Sequence, residues 1–411
     1  MGSYCFFADR PVGQYKKSDI GFSLSVILLL GFGLFTLYFC SQSSASRLFG
    51  DSFYFFRRQF LCVAVGFAGF LLMAMIPIKA IRNFIPALTI ITLIICFMTF
   101  IPGLSVEKNG ARRWVKMPMN FTLQSSEVVK MTLIFYLANY FDKQHSILLK
   151  EDRNVFKAVV VMLFFIALIL LQKDFSTSLF LYTFCCIFFW CCGMKIRWIW
   201  FVGVIAALGF LYFFLSKEYR IERIISFLNP NEHLDSGNYQ TMTSKRAISA
   251  GGFWGAGIGS NLVQSNKIPE VQSDYIFASW AEAMGLGGVI SYFIMLGFFA
   301  WRGIKVALFC KNKFAAFSSF GFVGMIVFQA LINCGVVCGA LPSTGIPLPF
   351  FSLGGSSVII TMCMCGFVVN SSRCDTEDDN DYKDNEFVEI ESIEGVGIYR
   401  LSFDVLRHGK K

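Results

Sequence analysis

The chain has 411 residues, of which 55% are hydrophobic and 15% are charged, and it carries a formal net charge of +9. This composition excludes an ordinary soluble domain, in which about 25% of residues are charged. The positive charge belongs to short segments between apolar runs, and without a nucleic-acid-binding motif we expect no nucleic-acid partner.

Apolar runs of membrane-spanning length recur along most of the sequence. A spanning helix needs about 17 to 25 mostly apolar residues, so the pattern predicts an all-α polytopic membrane protein with about ten transmembrane helices. The predicted spans are 18–40, 59–78, 83–102, 123–141, 155–172, 174–192, 196–216, 275–300, 314–340 and 345–370.

The predicted organisation is a short segment at 1–17, a transmembrane domain at 18–370 and an acidic tail at 371–411. An even number of spans places both termini on the same side of the membrane. Lys and Arg are more frequent in the segments on that side, which predicts that both termini are cytoplasmic. The outer loops are then about 103–122 and 217–274.

The first outer loop, "SVEKNGARRWVKMP", is unusually basic for an outer segment. Positive charge is normally sparse on that side, so Arg112 and Arg113 predict a site for an anionic ligand. Contact with lipid headgroups remains the alternative. Trp114 suits either interpretation, as an interface anchor or as an apolar platform beside the charges.

The fourth span begins with "QSSEVVK", which places two ionisable residues inside a membrane helix. Charges at membrane depth are costly and indicate function by default. Glu127 and Lys130 are three residues apart and therefore share one helix face, so they either form an ion pair or belong to a site. Asp174, immediately before the sixth span, is predicted to be its N-cap.

The long loop between the seventh and eighth spans, about 217–274, is expected to have a function, because long outer loops usually do. It contains "EYRIERIISFLNP", in which Arg220 and Arg223 lie on one helical face. The loop ends at Asp274. Either Ser273 or Asp274 is an N-cap of the eighth span, or Asp274 is a general base whose pKa is raised beside a low-dielectric cavity.

The tenth span opens with "LPSTGIPLPFFSLGGSS". Three prolines and the glycine pair Gly354 and Gly355 forbid a regular helix there, which predicts a broken helix beside a cavity. A simple kink is the alternative. The 14 cysteines lie mostly inside predicted spans and the three histidines are scattered, so a metal site built from them is not expected.

Taken together, these segments resemble the shape, elongation, division and sporulation family, the peptidoglycan glycosyltransferases that include FtsW, RodA and SpoVE. The resemblance covers about 18–370 and is strongest to the division branch, FtsW. The motifs that carry it are "NGARRW", "QSSEVVK", "QKDFST", "YRIERIISFLNP", "AGGFWGAGIGS", "IPEVQSDYIFASWAEAMGLGG" and "LPSTGIPLPFFSLGGSS".

The resemblance implies that lipid II is the substrate and that Asp274 is the catalytic residue. It also implies substrate contacts from the basic first outer loop and from the acid and base of the fourth span. The full set of expected substrate-binding residues is Arg112, Arg113, Trp114, Glu127, Lys130, Arg220, Arg223 and Ser352. The sequence departs from the family at Gln272, where a His is usual, at Ser125 and Lys173, where Pro is usual, at Ser176, where Gly is common, and at Leu353, where Tyr is common.

In the mechanism that the resemblance implies, Asp274 removes a proton from the acceptor hydroxyl and the arginines hold the pyrophosphate leaving group. A divalent cation, with Mg²⁺ the expected one, would share that work. The expected partners are a class B penicillin-binding protein, other division proteins and membrane lipids, at the septum of a bacterial cytoplasmic membrane. The alternatives are a lipid II flippase and an elongation polymerase of the RodA type.

Overall fold

The computed structural model describes residues 18–108, 110–118, 121–148, 155–194, 203, 236–258 and 267–373. Several predictions fall on other residues. The span predicted at 196–216, apart from residue 203, lies outside the described residues, as do Arg220, Arg223, the N-terminal segment 1–17 and the tail beyond residue 373.

The described part of the chain is mostly helical, which confirms the predicted fold class. Its helices are α1 (Ile20–Phe49), α2 (Tyr54–Met75), α3 (Ile78–Met98), α4 (Ser125–Leu148), α5 (Val155–Leu171), α6 (Phe175–Cys191), α7 (Ser236–Gly251), α8 (Ile276–Phe309), α9 (Lys313–Val337) and α10 (Gly355–Ser371). Each predicted span except the seventh corresponds to one of these helices. Helix α7, inside the long loop, was not predicted.

Helices α1, α2, α3, α8 and α9 are each long and apolar enough to cross a membrane, and α5, α6 and α10 are shorter apolar helices. The position of a helix in the bundle follows from its exposed face. Helices α2 and α3 expose many large apolar side chains, as a lipid-facing helix does, whereas residues 125–135 of α4 are buried throughout. Helix α4 therefore lies inside the bundle.

The loop after α3 contains a small antiparallel sheet that the all-α prediction omitted. Its strands are β1 (Ser105–Lys108), β2 (Ala111–Lys116) and β3 (Thr122–Gln124), in the order β1-β2-β3. Gly110 has a φ of 70° at the β1–β2 turn, a conformation that glycine adopts without steric cost. The sheet ends directly at α4, so it is held against one end of the bundle.

Two ends of the bundle can be distinguished by their contacts. At one end, which we call the hairpin end, β2 meets the α5–α6 turn through the hydrogen bond that Arg113 donates to the Lys173 carbonyl. At the opposite end, Asp19 caps α1 and forms an ion pair with Arg302 of α8 at 2.7 Å. The Asp19 N–H also donates to Ser372 Oγ at 2.9 Å, so this end joins α1, α8 and the end of α10.

Residues 341–354, which we call the broken segment, lack helical structure, as predicted. Their backbone groups need partners inside the protein, because the apolar surroundings offer none. Gln59 of α2 supplies two: its Nε2 donates to Ser352 O at 3.2 Å, and its Oε1 accepts from Gly354 N at 3.3 Å. The broken segment is therefore a defined, hydrogen-bonded structure and not a simple kink.

Helix α8 is interrupted at Gly285, whose φ of 60° and ψ of −158° are not helical. The loop after α7 takes over the lost hydrogen bonds. Leu286 N–H donates to Gly252 O at 3.0 Å, while Glu282 O accepts from Ala256 N–H at 2.8 Å. The loop is thereby joined to the break in α8, and the buried stretch 276–283 is separated from the rest of the helix.

Candidate functional site

Asp274 lies at the hairpin end, in the turn before α8. The N-cap of α8 is Tyr275, and no side chain caps the helix. The alternative prediction, in which Ser273 or Asp274 caps the eighth span, is therefore wrong. The Asp274 carboxylate is half-buried and is not used to complete the helix, which leaves it available for chemistry.

The surroundings of Asp274 come from distant parts of the chain. Asn333 of α9 donates from Nδ2 to the Asp274 carbonyl at 2.8 Å. Gly345 of the broken segment lies so close that a Cβ added there would be 3.5 Å from Asp274 Oδ2. The Leu353 N–H donates to the Gln272 carbonyl at 2.8 Å, so the broken segment also holds the residues just before Asp274.

The electrostatic environment of Asp274 suits a general base. Burial raises the pKa of its carboxyl group to about 6, the negative charge of Glu270 adds to the increase, and the positive charge of Arg113 opposes it. A base with this pKa is mostly deprotonated at neutral pH and is still basic enough to accept a proton.

Arg113 is the cation that the structure brings to this site. Its Nη2 donates to the Lys173 carbonyl at 2.8 Å, and its Nη1 lies 3.4 Å from Asp174 Oδ1. Asp174 also accepts from Thr177 N–H, which confirms the prediction that it caps α6. Arg113 Nε has no hydrogen-bond partner among the described residues, so one of its donors remains available.

Arg112 does not share the position of Arg113. Neighbouring residues of a strand point to opposite faces, and β2 follows this rule. Arg112 is exposed and forms an ion pair with Glu107 at 3.1 Å. Trp114, on the same strand face as Arg112, is partly buried. The two adjacent arginines therefore lie on different sides of the sheet and do not form one cradle.

Glu127 and Lys130 form the ion pair that was one of the two alternatives for them. Lys130 Nζ is 2.7 Å from Glu127 Oε2, and both side chains are buried. Lys130 also donates to Gln329 Oε1 at 2.8 Å. The Lys130 ammonium group therefore binds two partners inside the bundle and connects α4 to α9. Its contact with substrate stays a prediction.

Ser352 also has an internal contact. It is 2% exposed, and its hydroxyl accepts from the Leu348 N–H at 2.8 Å. This hydrogen bond closes a turn of the broken segment. The structure thus places Ser352 in the support of the broken segment, and its role in binding substrate stays a prediction.

Within the described residues, no group of three or more His, Cys, Asp or Glu side chains could hold a metal ion. Mg²⁺ commonly binds one or two carboxylates together with substrate phosphates, and Asp274 and Glu270 are two interacting carboxylates. The donor set therefore suits a cation that arrives with a phosphorylated substrate.

The family model for the cell cycle proteins FtsW, RodA and SpoVE matches residues 21–377, which is most of the chain. This chain belongs to the FtsW/RodA/SpoVE family. Among curated relatives, "Probable peptidoglycan glycosyltransferase FtsW" of Geobacter sp. (strain M18) is 32% identical over 349 residues, covering 85% of this chain and 95% of the relative. "Stage V sporulation protein E" of Bacillus subtilis is 32% identical over 355 residues, covering 86% and 97%.

The chain also resembles solved structures. A chain from a peptidoglycan synthase complex, described as coordinating polymerization and crosslinking, has a TM-score of 0.70 at 25% identity and covers 87% of this chain and 98% of its own. The rod shape determining protein RodA of Thermus thermophilus has a TM-score of 0.64 at 22% identity, covering 87% and 97%. The second likeness concerns the fold alone.

Sequence reasoning missed the amide side chains that hold the surroundings of Asp274 together in this member of the FtsW/RodA/SpoVE family. Gln59, Gln329 and Asn333 are all buried and all donate to carbonyls at the broken segment or beside Asp274. A signal was present: polar amides inside apolar spans are costly unless hydrogen-bonded. Their partners, however, lie far away in sequence, so the sequence did not say what they bind.

Proposed function

We propose that this protein is a peptidoglycan glycosyltransferase that joins lipid II into glycan strands during cell division, with Asp274 as the general base. The observation that supports this role most directly is the half-buried Asp274 carboxylate, which does not cap a helix. Its pKa is raised to about 6 even though the positive charge of Arg113 opposes the increase. The peptidoglycan glycosyltransferase names of its relatives agree with this chemistry.

The reaction requires a base on one side and a cation on the other. The acceptor sugar hydroxyl attacks the anomeric carbon of the donor, a new glycosidic C–O bond forms, and the bond to the pyrophosphate oxygen breaks. Asp274 accepts the hydroxyl proton, a contribution of about 100 to 10,000-fold. Direct displacement inverts the anomeric carbon, so no second carboxylate is needed as a nucleophile. Glu282, which is buried within α8, then has a structural role.

The leaving pyrophosphate needs positive charge near the anomeric carbon. Arg113 supplies it in the described structure, because its guanidinium interacts with Asp274 and retains an unpaired donor at Nε. Arg220 and Arg223, outside the described residues, complete the proposed cradle. Mg²⁺, when bound, would neutralise phosphate charge, with Glu270 as the nearby carboxylate that would hold it.

The membrane setting follows from the same proposal. Lipid II presents its sugars outside the cytoplasmic membrane, so the hairpin end would face outward and both termini would face the cytoplasm. The likeness to a chain of a peptidoglycan synthase complex supports a class B penicillin-binding protein as partner. The septum is the expected location for a division enzyme.

The direct test measures polymerisation of labelled lipid II by purified protein together with its transpeptidase partner. We expect Asp274→Asn to lower the rate by about 100-fold or more, because the amide cannot accept the proton. Asp51→Asn is the matched control, since Asp51 is an exposed carboxylate in the turn between α1 and α2. Near-normal strand formation by folded Asp274→Asn would reject the base assignment.

The same assay separates the enzyme from a lipid-linked precursor transporter. Broken helices and buried charges also occur in transporters. In detergent there is no membrane to cross, so glycan lengthening there requires an enzyme, and its complete absence in the presence of the partner would favour transport. The same assay tests a RodA-type elongation role by comparing transpeptidase partners. Activation by the elongation transpeptidase and not by the division transpeptidase would favour elongation.

A further inference from the structure

Two buried amide side chains lie on one face of α9. Gln329 and Asn333 are four residues apart, which places them one above the other on the helix. They are 3% and 1% exposed in a helix that is otherwise strongly apolar. A buried amide costs stability unless it is hydrogen-bonded, so the contacts of these two residues need an explanation.

Asn333 connects two separate segments of the chain. Its Nδ2 donates to the Asp274 carbonyl at 2.8 Å and to the Ile346 carbonyl at 2.8 Å. Both N–H groups of the amide are thereby used. Asn333 therefore holds two structures with one side chain: the turn that carries Asp274 and the broken segment that packs against the Asp274 carboxylate.

Gln329 continues the connection towards the centre of the bundle. Its Nε2 donates to the Pro347 carbonyl at 2.8 Å, one residue beyond the Asn333 contact. Its Oε1 accepts from Lys130 Nζ at 2.8 Å, and Lys130 is paired with Glu127. A continuous set of polar contacts therefore runs from the buried ion pair of α4 to the broken segment.

The turn that carries Asp274 has a backbone hydrogen bond from Ser273 N–H to the Glu270 carbonyl at 2.9 Å, whereas the Asp274 carbonyl is held from outside the turn by Asn333. No side chain caps α8, and Glu270, four residues before Asp274, has a left-handed φ of 51°. The Asn333 amide is a direct side-chain anchor for the Asp274 backbone.

We propose that Asn333 is a positioning residue for Asp274, which it fixes relative to the broken segment, with Gln329 and the Glu127–Lys130 pair holding the adjoining carbonyl. This inference rests on the proposed role of Asp274 as the base. The pair on α4 then acts through Gln329 on the shape of the site and not by contact with pyrophosphate.

The first test is kinetic. Asn333→Leu keeps the side-chain volume but removes both donors, and Asn333→Ala removes the volume as well. We expect each variant to lower kcat by about 100-fold with little change in KM, because a displacement of about 1 Å of a catalytic group has that effect. The matched control is Ser319→Ala, since Ser319 is a buried α9 residue whose hydroxyl has no partner in the described part of the chain.

The second test measures position without relying on catalysis. Asp274→Cys is prepared with and without Asn333→Leu, and modification of the thiol at position 274 by a small maleimide is followed by peptide mass spectrometry. Loss of two ordinary hydrogen bonds corresponds to about a 30-fold increase in the fraction of molecules in which the turn carrying residue 274 is detached from position 333. We therefore expect labelling to be faster by up to that factor. Ser319→Ala should leave the labelling rate unchanged.

The two tests have distinguishable failures. Unchanged labelling at position 274 would overturn the positioning role whatever Asp274 does, and so would parental kcat in Asn333→Leu when Asp274→Asn is inactive. Faster labelling combined with full activity of Asp274→Asn would instead reject the proposed base and leave the anchor in place. If Asn333→Ala does not fold, Asn333→Leu and the labelling rate still decide the question.

Discussion

At the residue scale, the Asp274 carboxylate is subject to opposing influences. Burial and Glu270 raise its pKa, whereas Arg113 lowers it, and the resulting value is about 6. A residue acting as N-cap would have been held by backbone N–H groups, which favour the charged form and lower the pKa. The absence of a side-chain cap at α8 and the raised pKa both agree with the proposed general base.

The pH dependence of activity tests this environment. Asp274 must be deprotonated to accept a proton, so we expect kcat/KM to fall as pH decreases through about 6. Glu270→Gln removes a negative charge that raises the pKa, and the acid limb should move to lower pH by up to about one unit. A midpoint near pH 4 in the parent protein, or movement to higher pH in Glu270→Gln, would contradict this assignment.

Arg113 and Arg112 provide a matched pair of adjacent cations. Arg113 interacts with Asp274, while Arg112 is exposed and paired with Glu107 on the other face of β2. We expect Arg113→Ala to reduce polymerisation of lipid II by about 100-fold, the effect typical of removing a donor that stabilises developing charge. Arg112→Ala should have a much smaller effect. Equal losses in the two variants would show that the strand face does not matter.

At the element scale, helical structure is interrupted at two places, the break in α8 at Gly285 and the broken segment before α10, and only the broken segment lies beside Asp274. In a continuous α8, all backbone N–H and C=O groups would pair within the helix. At the break at Gly285, backbone groups instead form hydrogen bonds with the loop after α7. The broken segment likewise gives its carbonyls to Gln59, Gln329 and Asn333. Irregular backbone inside a membrane protein persists where such partners exist.

The glycines of α8 allow the break to be tested. A Cβ at Gly285 would lie 2.4 Å from Gly255 N, and the residue has a left-handed φ of 60°. We expect Gly285→Ala to destabilise the protein by about 1–3 kcal/mol, measured as a lower unfolding temperature in detergent. Gly287→Ala is the control, because nothing lies within 4 Å of its added Cβ. Equal stability of the two variants would show that the break tolerates a side chain.

At the scale of the whole molecule, the two ends of the bundle are held by different kinds of contact. The hairpin end combines a sheet, turns and amide hydrogen bonds around Asp274. The opposite end is held by the ion pair of Asp19 and Arg302, with the Asp19 side chain completely buried. Asp19 also caps α1 and accepts hydrogen bonds from Nε and Nη2 of Arg302, so this contact fixes α1 against α8.

Removing Arg302 should therefore affect the entire bundle. Breaking a buried ion pair leaves an uncompensated charge and costs about 3–5 kcal/mol, so Arg302→Ala should unfold at a clearly lower temperature. Arg57→Ala is the control, because Arg57 pairs with Asp51 at the exposed surface, where such pairs contribute little. Similar unfolding temperatures for the two variants would show that the Asp19–Arg302 contact does not stabilise the bundle.

The sequence by itself determined the membrane architecture, because apolar runs of spanning length and the prolines of the broken segment act locally. It also predicted the Asp174 cap and offered the Glu127–Lys130 ion pair as one of two alternatives, and in both cases the partners are three residues apart. Helix α7 and the sheet escaped prediction, since neither has a strong local pattern. Only the tertiary structure decided that the charge of Arg113 acts on Asp274 and that Asn333 holds the Asp274 backbone, because these interactions join residues tens to hundreds of positions apart.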